Sequence, residues 1–388
     1  MIATTVGAIL LAAITLYAIL GGADFGGGLW DLLAGGDQRG RAPRALIDET
    51  ITPVWEANHV WLIFALVIFW TAFPEAFAAV MTAAALPLWL AVLGIVLRGA
   101  GFAFRKEVSR PSLQRAFGAT FAFSSLLTPF FMGTVVGGIV AGQIPGHPSQ
   151  ASLSAWTTTT SLLTGLLFVS ACAYLAASYL IGEAARRDDR HLQAYFTRRA
   201  QVAGVVTGAL SLATLLALHS SDPTLLHRLT GRALPLVIVA AACGVALLGL
   251  LIAGQHRGVR IIAALGVAAV IWGWGVAQYP TLLPGTGITL SNAGAPHATL
   301  AALVVLFAAV ALIVGPSFVL LFALQGRRLL EPADGEALSA TAGGTRPAPG
   351  PPGGPPPSGR RAPRGRAVIL GLVAIGALIR ALVRRRNR

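Results

Sequence analysis

The chain has 388 residues, of which 55% are hydrophobic and only 11% are charged. Soluble globular domains are about 25% charged, so this composition excludes an ordinary soluble protein and indicates a polytopic membrane protein. The formal net charge of +14 does not indicate a nucleic-acid partner, because the arginines lie between apolar runs and form no basic domain.

Nine apolar runs are long enough to cross a bilayer, since a spanning helix needs about 20 mostly apolar residues. They cover residues 2–24, 50–73, 75–97, 117–141, 156–182, 200–218, 233–253, 259–280 and 297–324. Of the 29 Lys and Arg residues, 27 lie in alternate loops and the final tail, and only Arg228 and Arg232 lie in the other loops. Basic residues favour the cytoplasmic side, so we predict an all-α protein with nine transmembrane helices and an outside N-terminus.

The first run ends in a glycine-rich segment, residues 21–31, which carries two carboxylates. Glycine lets membrane helices approach each other closely. Asp31 is expected to be a solvated helix end. Asp24 lies deeper, and an ionisable residue at such a depth is a candidate functional group.

The second run opens with the most polar segment of any run, residues 53–62. On a helix, Glu56 and His59 share one face, and Trp55 and Asn58 share the adjacent face. Charged groups are costly in hydrocarbon, so Glu56 is the main candidate for a functional residue. His59 is expected to be a hydrogen-bonded intramembrane histidine rather than a haem ligand.

The basic segment after the third run begins with Arg98, which is expected to lie deeper than its neighbours, with its stem snorkelling to the interface. Cys172 and Cys243 fall inside apolar runs, a placement typical of small buried residues rather than of a disulfide or a metal site.

Three regions follow from composition. Residues 1–330 form the predicted transmembrane domain, and residues 331–366 form a disordered linker rich in Pro, Gly and Arg. Residues 367–388 are apolar and basic, but the stretch between Arg366 and Arg380 is too short for a span of about 20 residues. We therefore predict a cytoplasmic amphipathic helix lying on anionic lipid. A tethered accessory transmembrane helix is the alternative.

The residues alone leave other functions open. Intramembrane ionisable groups and glycine-broken helices are typical of secondary transporters. Here, however, Asp24 and Glu56 lie near one membrane face rather than at the midplane, and the 22–64 segment has no inverted repeat. A purely structural membrane subunit is a further alternative.

Two segments resemble subunit II of the cytochrome bd quinol oxidases. Residues 22–28 are similar to the family segment Asp-Gly-Phe-Asp-Leu/Met-Gly-x-Gly, and residues 53–62 to its Pro-x-Trp-Asp-Gly-Asn-x-x-Trp-Leu segment. The family pattern Arg-x-x-Gly-Phe-x-x-Arg also begins at Arg98, and the similarity extends to about residue 326. The chain departs from the family at Gly22 and Glu56, where the family has Asp.

This resemblance implies two four-helix bundles plus one extra helix, in a multi-pass protein of the bacterial plasma (inner) membrane. It implies a terminal oxidase that couples quinol oxidation to reduction of O2 to water in a respiratory chain. The partner, subunit I, would hold haem b and haem d, whereas this chain would bind no cofactor through its own ligands. Subunit II stabilises the haem subunit and can bind a structural quinone or lipid, and some members add a small single-helix subunit.

The resemblance and the residue pattern together suggest a proton path from the cytoplasm toward the haem subunit through Glu56, Asp24 and His59. Trp55 and Asn58 would order this site and its waters. Trp61 matches a family tryptophan near the proposed oxygen entrance. A purely structural role for Glu56, pairing with a group of the partner subunit, is the alternative.

Overall fold

The computed structural model describes residues 1–36, 38–107, 111–148 and 150–326. Within these ranges it does not describe the side chains of residues 51–57, 102, 105–107, 111–112, 114–115, 314–315 and 318–326. Within these ranges the regular secondary structure is helical apart from one short hairpin, and turns and loops connect the elements. The helices are α1 (Ile2–Leu32), α2 (Arg41–Ala72), α3 (Pro74–Ala83), α4 (Ala85–Glu107), α5 (Pro111–Val140), α6 (Ser154–Thr157), α7 (Thr159–Arg186), α8 (Arg190–Ser221), α9 (Pro223–Thr230), α10 (Leu234–Ile252), α11 (Val259–Gln278) and α12 (His297–Gly326).

The chain divides into two compact units, Met1–Ser317 and Phe318–Arg388. In the second unit, only the last residues of α12 belong to the described part of the chain. The linker predicted over residues 331–366 and the helix predicted over residues 367–388 lie outside the described residues and remain predictions.

Six helices are long and apolar enough to cross a membrane: α1, α5 from Ala116 onward, α7, α8, α10 and α11. Asn58–Ala72 and α3 form a bent pair that is a seventh candidate, and Ala85–Gly101 and His297–Ile313 are shorter apolar helices. The prediction of a helical membrane protein is confirmed by these spans.

The third apolar run, residues 75–97, is not one helix. It consists of α3, bent by 117° from the helix before it, and α4. Pro87 explains the break, because a proline ring clashes with the carbonyl of the residue four positions earlier, here Ala83. The Ala83 carbonyl instead accepts a hydrogen bond from the Ser152 amide at 3.0 Å.

Several helices extend beyond the apolar runs at the predicted cytoplasmic side. α1 continues through the whole glycine-rich segment to Leu32, and α2 begins at Arg41 rather than near residue 50. Helical glycine costs about 1 kcal/mol relative to alanine, but it permits close helix packing that offsets this cost. At Gly26 a Cβ atom would collide with the main-chain carbonyl of Cys172, so α1 and α7 are in backbone contact there.

Two hydrophobic clusters lie at opposite ends of this helix bundle. The first contains Trp30 of α1 with Ile181, Phe196 and Val259, and the second contains Val6 of α1 with Phe73 and Leu283. Between them along α1 lies a small cluster centred on Tyr17, Phe25 and Cys172. Asp24, Asn58 and Arg98 lie beside this middle cluster.

The all-α prediction missed a small hairpin between α11 and α12. Strand β1 (Thr281–Leu283) pairs antiparallel with β2 (Ile288–Thr289), after a cis peptide bond between Tyr279 and Pro280. The following loop is tied down because the Ala295 amide donates a 2.8 Å hydrogen bond to the Ala72 carbonyl at the end of α2.

Candidate functional site

The centre of the site is a buried ion pair between α1 and α4. Arg98 Nη2 lies 2.6 Å from Asp24 Oδ1, and it also donates to the Asp24 main-chain carbonyl at 2.8 Å. Asp24 is 0% exposed and Arg98 only 1% exposed. Removing one partner of such a buried pair typically costs about 3–5 kcal/mol, because it leaves a buried charge uncompensated.

The Arg98 guanidinium is enclosed by α5 and by two aromatic rings. Its Nη1 donates to Ser125 Oγ, and Ser125 Oγ in turn donates to the Phe121 carbonyl at 2.6 Å. The guanidinium carbon lies 4.2 Å from the centroid of the Phe121 ring and 5.1 Å from that of Phe25. Aromatic faces attract cations, so both rings stabilise the buried charge.

Asn58 connects this pair to α2. Its Nδ2 donates to Asp24 Oδ2 at 3.5 Å, a long hydrogen bond, and the side chain is 0% exposed. The Asp24 carboxylate therefore contacts groups from two other helices, one through each oxygen. The result is a polar cluster, Asp24, Asn58, Arg98 and Ser125, that joins α1, α2, α4 and α5.

Two buried atoms of the cluster, Asn58 Oδ1 and Arg98 Nε, have no hydrogen-bond partner within the described part of the chain. Buried polar atoms are nearly always paired, so each such atom marks a place for a further polar group. The α2 segment that includes Glu56 is next to Asn58 in sequence, but the side chains of Glu56 and Trp55 lie outside the described residues.

His59 and Trp61 lie on the turn after Asn58. His59 is half-buried. Trp61 is also half-buried and packs edge-on against Phe64, with 6.1 Å between the ring centroids. Trp61 also contacts the cluster that contains Tyr17 and Cys172.

Two glycines of the α1 segment lie against the polar cluster, and a third lies against α7. A Cβ at Gly21 would lie 2.8 Å from Asn58 Oδ1, and a Cβ at Gly28 would collide with Ser125 Oγ. At Gly22, where the resembling family has Asp, a Cβ would lie 2.6 Å from a methyl group of Leu175. At position 22 this chain therefore has close packing of α1 against Leu175 of α7, where the resembling family has a carboxylate side chain.

Two expectations about charged residues were wrong. Asp31 is not a solvated helix end, because it is 5% exposed and lies 3.1 Å from Arg44 Nε at the start of α2. Arg98 does not snorkel to the interface, because its guanidinium turns inward to Asp24. In both cases a partner on a neighbouring helix supplies the counter-charge that makes burial tolerable.

The sequence did not reveal the residues around Arg98. Ser125 and Phe121 lie four positions apart on α5, a spacing that places both on one face, but an isolated Ser and Phe carry no functional signal. Among the described residues no group of three or more His, Cys, Asp or Glu side chains could hold a metal ion.

Comparison with known proteins places the chain in context. A family model described as cytochrome bd terminal oxidase subunit II matches residues 2–325. Cytochrome bd ubiquinol oxidase subunit 2 of Bacillus subtilis (strain 168) is 32% identical over 119 residues, which cover 31% of this chain and 34% of the relative. That match spans about a third of the relative's length.

A second relative is matched over more of its length. Cytochrome bd-I ubiquinol oxidase subunit 2 of Escherichia coli (strain K12) is 24% identical over 316 residues, covering 71% of this chain and 80% of the relative. Among solved structures, a chain of the bd oxidase from Geobacillus thermodenitrificans aligns with a TM-score of 0.71 at 21% identity. The alignment covers 83% of this chain and 98% of that one, and it establishes the shared fold.

Proposed function

The chain belongs to the cytochrome bd terminal oxidase subunit II family, and from that premise we propose that it is the haem-free subunit of a quinol:O2 oxidoreductase. The observation that carries the proposal is the family match over residues 2–325. The complex would oxidise quinol and reduce O2 to water in the respiratory chain of a bacterial plasma membrane. Its partner would be the haem-bearing subunit I.

The proposal includes nine membrane crossings with the N-terminus outside, arranged as two four-helix bundles plus one helix. Six candidate spans, one bent pair and two shorter apolar helices support it, since they fall in the nine apolar runs of the sequence. The charge bias of the loops supports the orientation. Asp24, Arg98 and Asn58 then lie toward the cytoplasmic half of the membrane.

The first proposed role is to stabilise the haem subunit. The polar cluster holds four helices of this chain in fixed relation, so the surface that they present would be fixed as well. The haems in the partner supply the oxygen-reducing chemistry. A structural quinone or lipid on this subunit and a small single-helix subunit belong to the same proposal.

The second proposed role is a proton path. Oxygen reduction to water consumes protons, and Glu56 and His59 are ionisable residues on one face of α2. Asp24 is attached to the same segment through Asn58. Protonating Asp24 would leave Arg98 without its counter-charge, so in this proposal Asp24 positions the path and Glu56 carries the proton.

The test is Glu56→Gln, which preserves size and hydrogen bonding but removes the proton-carrying group. A positioned proton-transfer group typically contributes about 10²–10⁴-fold to a rate, so we expect quinol oxidase turnover to fall at least about tenfold with haems still assembled. Glu49→Gln is the matched control on the same helix, because Glu49 is 63% exposed at its side chain and pairs with Arg187. Its turnover should equal that of the wild type.

Two results would count against the proton role. Wild-type turnover with an unchanged pH profile in Glu56→Gln would exclude Glu56 as a carrier. Loss of the haems in the same variant would instead favour the structural role, in which Glu56 pairs with a group of the partner subunit.

A further inference from the structure

Two buried hydroxyl groups on the predicted cytoplasmic side of the polar cluster have no hydrogen-bond partner among the described residues. They are Thr50 Oγ1 of α2 and Ser178 Oγ of α7. Thr50 is 8% exposed and Ser178 is 1% exposed, so bulk water does not supply the missing partner. Many other hydroxyls donate within their own helix, as Thr214 Oγ1 does to the Leu210 carbonyl at 2.8 Å. The two unpaired hydroxyls therefore need a partner of another kind.

Contacts between α1 and α7 fix the depth of Ser178. A Cβ at Gly26 would collide with the Cys172 carbonyl and lie 2.7 Å from the Ala176 Cβ, so Gly26 is level with the turn between those two residues. In the proposed topology α1 and α7 run in the same direction. Ser178 follows the middle of that turn by as many residues as Trp30 follows Gly26, so Ser178 and Trp30 lie at the same depth.

Thr50 reaches this depth from α2, which runs in the opposite direction. Asn58 contacts Gly21 and Asp24, so it is level with the α1 turn between them. Thr50 precedes Asn58 by two helical turns, or about 12 Å at about 1.5 Å per residue. That displacement again ends level with Trp30.

Both hydroxyls also border one hydrophobic cluster. Ile47, three positions before Thr50, and Ile181, three positions after Ser178, belong to the cluster that contains Trp30. Residues three apart share a helix face. The two unpaired hydroxyls therefore lie at one level, on the faces of α2 and α7 that meet in this cluster.

We infer that Thr50 and Ser178 hold a buried water molecule between α2 and α7, and that this water is the cytoplasmic entry step for protons that reach Glu56. Buried waters typically bond to polar groups that otherwise lack a partner, and two such groups are present here. The inference rests on the proposed orientation of the chain and on the proposed proton role of Glu56.

The water and the two hydroxyls are suited to pass a proton. Each oxygen has a hydrogen to donate and lone pairs that accept. Each oxygen in such a relay gains one proton as it releases another, so the step leaves no charge behind. Thr50 precedes Glu56 by about 9 Å along α2. Two further unpaired buried atoms, Asn58 Oδ1 and Arg98 Nε, follow toward the membrane centre.

Charged side chains at this end of the chain form ion pairs. The pairs are Asp31 with Arg44, Glu49 with Arg187, and Glu183 with Arg186. A relay through neutral oxygens leaves these pairs intact, whereas a relay through one of the carboxylates would break its pair at each transfer.

The first test uses the sign of a change in stability. If the Thr50 hydroxyl were dry, Thr50→Val would remove an unpaired polar group and keep the shape, so the melting temperature of the assembled complex would rise. With water bound, Thr50→Val and Ser178→Ala each remove a hydrogen bond and should lower the melting temperature by about 2–4 °C. The double variant should lose less than the sum, because both changes act on one water.

Thr214→Val is the matched control, because its hydroxyl already bonds to its own helix on α8. Combined with Ser178→Ala, it should give additive changes in melting temperature. High-resolution electron cryo-microscopy of the assembled complex tests the water directly. Density within hydrogen-bonding distance of both hydroxyls is expected in the wild type and should be absent from the Thr50→Val, Ser178→Ala double variant.

Proton entry is tested by quinol oxidase turnover of the same double variant. With haems intact, turnover should fall by at least about threefold, less than for Glu56→Gln because other waters can partly replace the relay. The rate should also begin to decline at a lower pH than in the wild type, because proton supply falls as pH rises. A double variant of Thr214→Val and Ser211→Ala, whose hydroxyls both bond within α8, should turn over like the wild type.

Two results would overturn the inference. One is a raised melting temperature in Thr50→Val with no water density at the two hydroxyls. The other is wild-type turnover with an unchanged pH profile in the Thr50→Val, Ser178→Ala double variant. Glu56→Gln separates this outcome from a failure of the proposed function. If Glu56→Gln slows turnover and the double variant does not, the entry step alone is wrong. If neither slows it, the proton role of Glu56 is wrong as well.

Discussion

At the scale of single residues, the Asp24–Arg98 pair dominates the energetics of the site. Both side chains are almost fully buried, and among the described residues each forms its ion pair with the other. Asp24→Asn keeps the shape of the carboxylate but leaves the Arg98 charge unbalanced in a low-dielectric setting. We expect a loss of about 3–5 kcal/mol, measured as a lower melting temperature and a lower yield of the assembled complex.

Asp31→Asn is the matched control for this prediction. Asp31 is also an acidic α1 residue, but its partner Arg44 is 25% exposed at the side chain and can regain water. The loss of stability in Asp31→Asn should be clearly smaller than the loss in Asp24→Asn. The double variant Asp24→Asn with Arg98→Met removes both charges and should recover stability relative to Asp24→Asn alone. Additive losses in the double variant would show that the two residues are not energetically coupled.

Single residues were identified from the sequence more readily than their partners. Asp24, Asn58 and Arg98 were each singled out because a polar or charged group is conspicuous near an apolar run. Asp24 and Arg98 are 74 positions apart, and no local pattern encodes contacts at that separation. Because the sequence does not show such distant contacts, it predicted a solvent-exposed Asp31 and an interfacial Arg98 guanidinium. In the structure a partner on another helix permits each group to be buried.

At the scale of helices, the contact between α1 and α7 depends on Gly26. A Cβ there would collide with the Cys172 carbonyl, which belongs to the α7 backbone and cannot move unless the helices separate. We therefore expect Gly26→Ala to destabilise the complex by about 1–3 kcal/mol, as overpacking does, despite the better helix propensity of alanine. Thermal unfolding of the purified complex measures this loss.

Gly182→Ala on α7 is the control, because the Cβ it would add has no described atom within 4 Å apart from its chain neighbours and the backbone of its own helical turns. It should leave stability unchanged or raise it by up to about 1 kcal/mol. Equal melting temperatures for the Gly26 and Gly182 variants would refute the close α1–α7 contact.

The length of the apolar runs predicted that most of the helices form, but it did not predict the residues at which they begin and end. Pro87 ends the preceding helical turn, and a proline inside an apolar run is a signal that the sequence carries for such a break. In contrast, the continuation of α1 through its glycines to Leu32 depends on packing against α7 and α5, which no single-helix pattern reveals.

At the scale of the whole molecule, the proposed topology predicts opposite sides for two neighbouring loops. In a background in which both native cysteines are replaced by alanine, a cysteine at Ala151 should react with a membrane-impermeant maleimide from outside. A cysteine at Ala185, at the other end of α7, should react only after the membrane is opened. Labelling of both positions from the same side would contradict the proposed orientation.

The tail predicted to lie on the cytoplasmic membrane surface gives a separate prediction. A protease-cleavable tag after Arg388 should be protected in intact cells, because the basic residues 384–386 favour the cytoplasmic side. Cleavage from outside would favour the alternative, in which residues 367–388 form a tethered transmembrane helix.

The most direct test of the central claim, that this chain is the haem-free subunit II of a bd-type oxidase, is the absorbance spectrum after purification through a tag on this chain. Co-expressed with its partner, the complex should show haem b and haem d bands and consume oxygen when quinol is supplied. Expressed without the partner, the chain should show no haem band. Haem absorbance in the chain alone, or a co-purified partner without haem, would contradict the account.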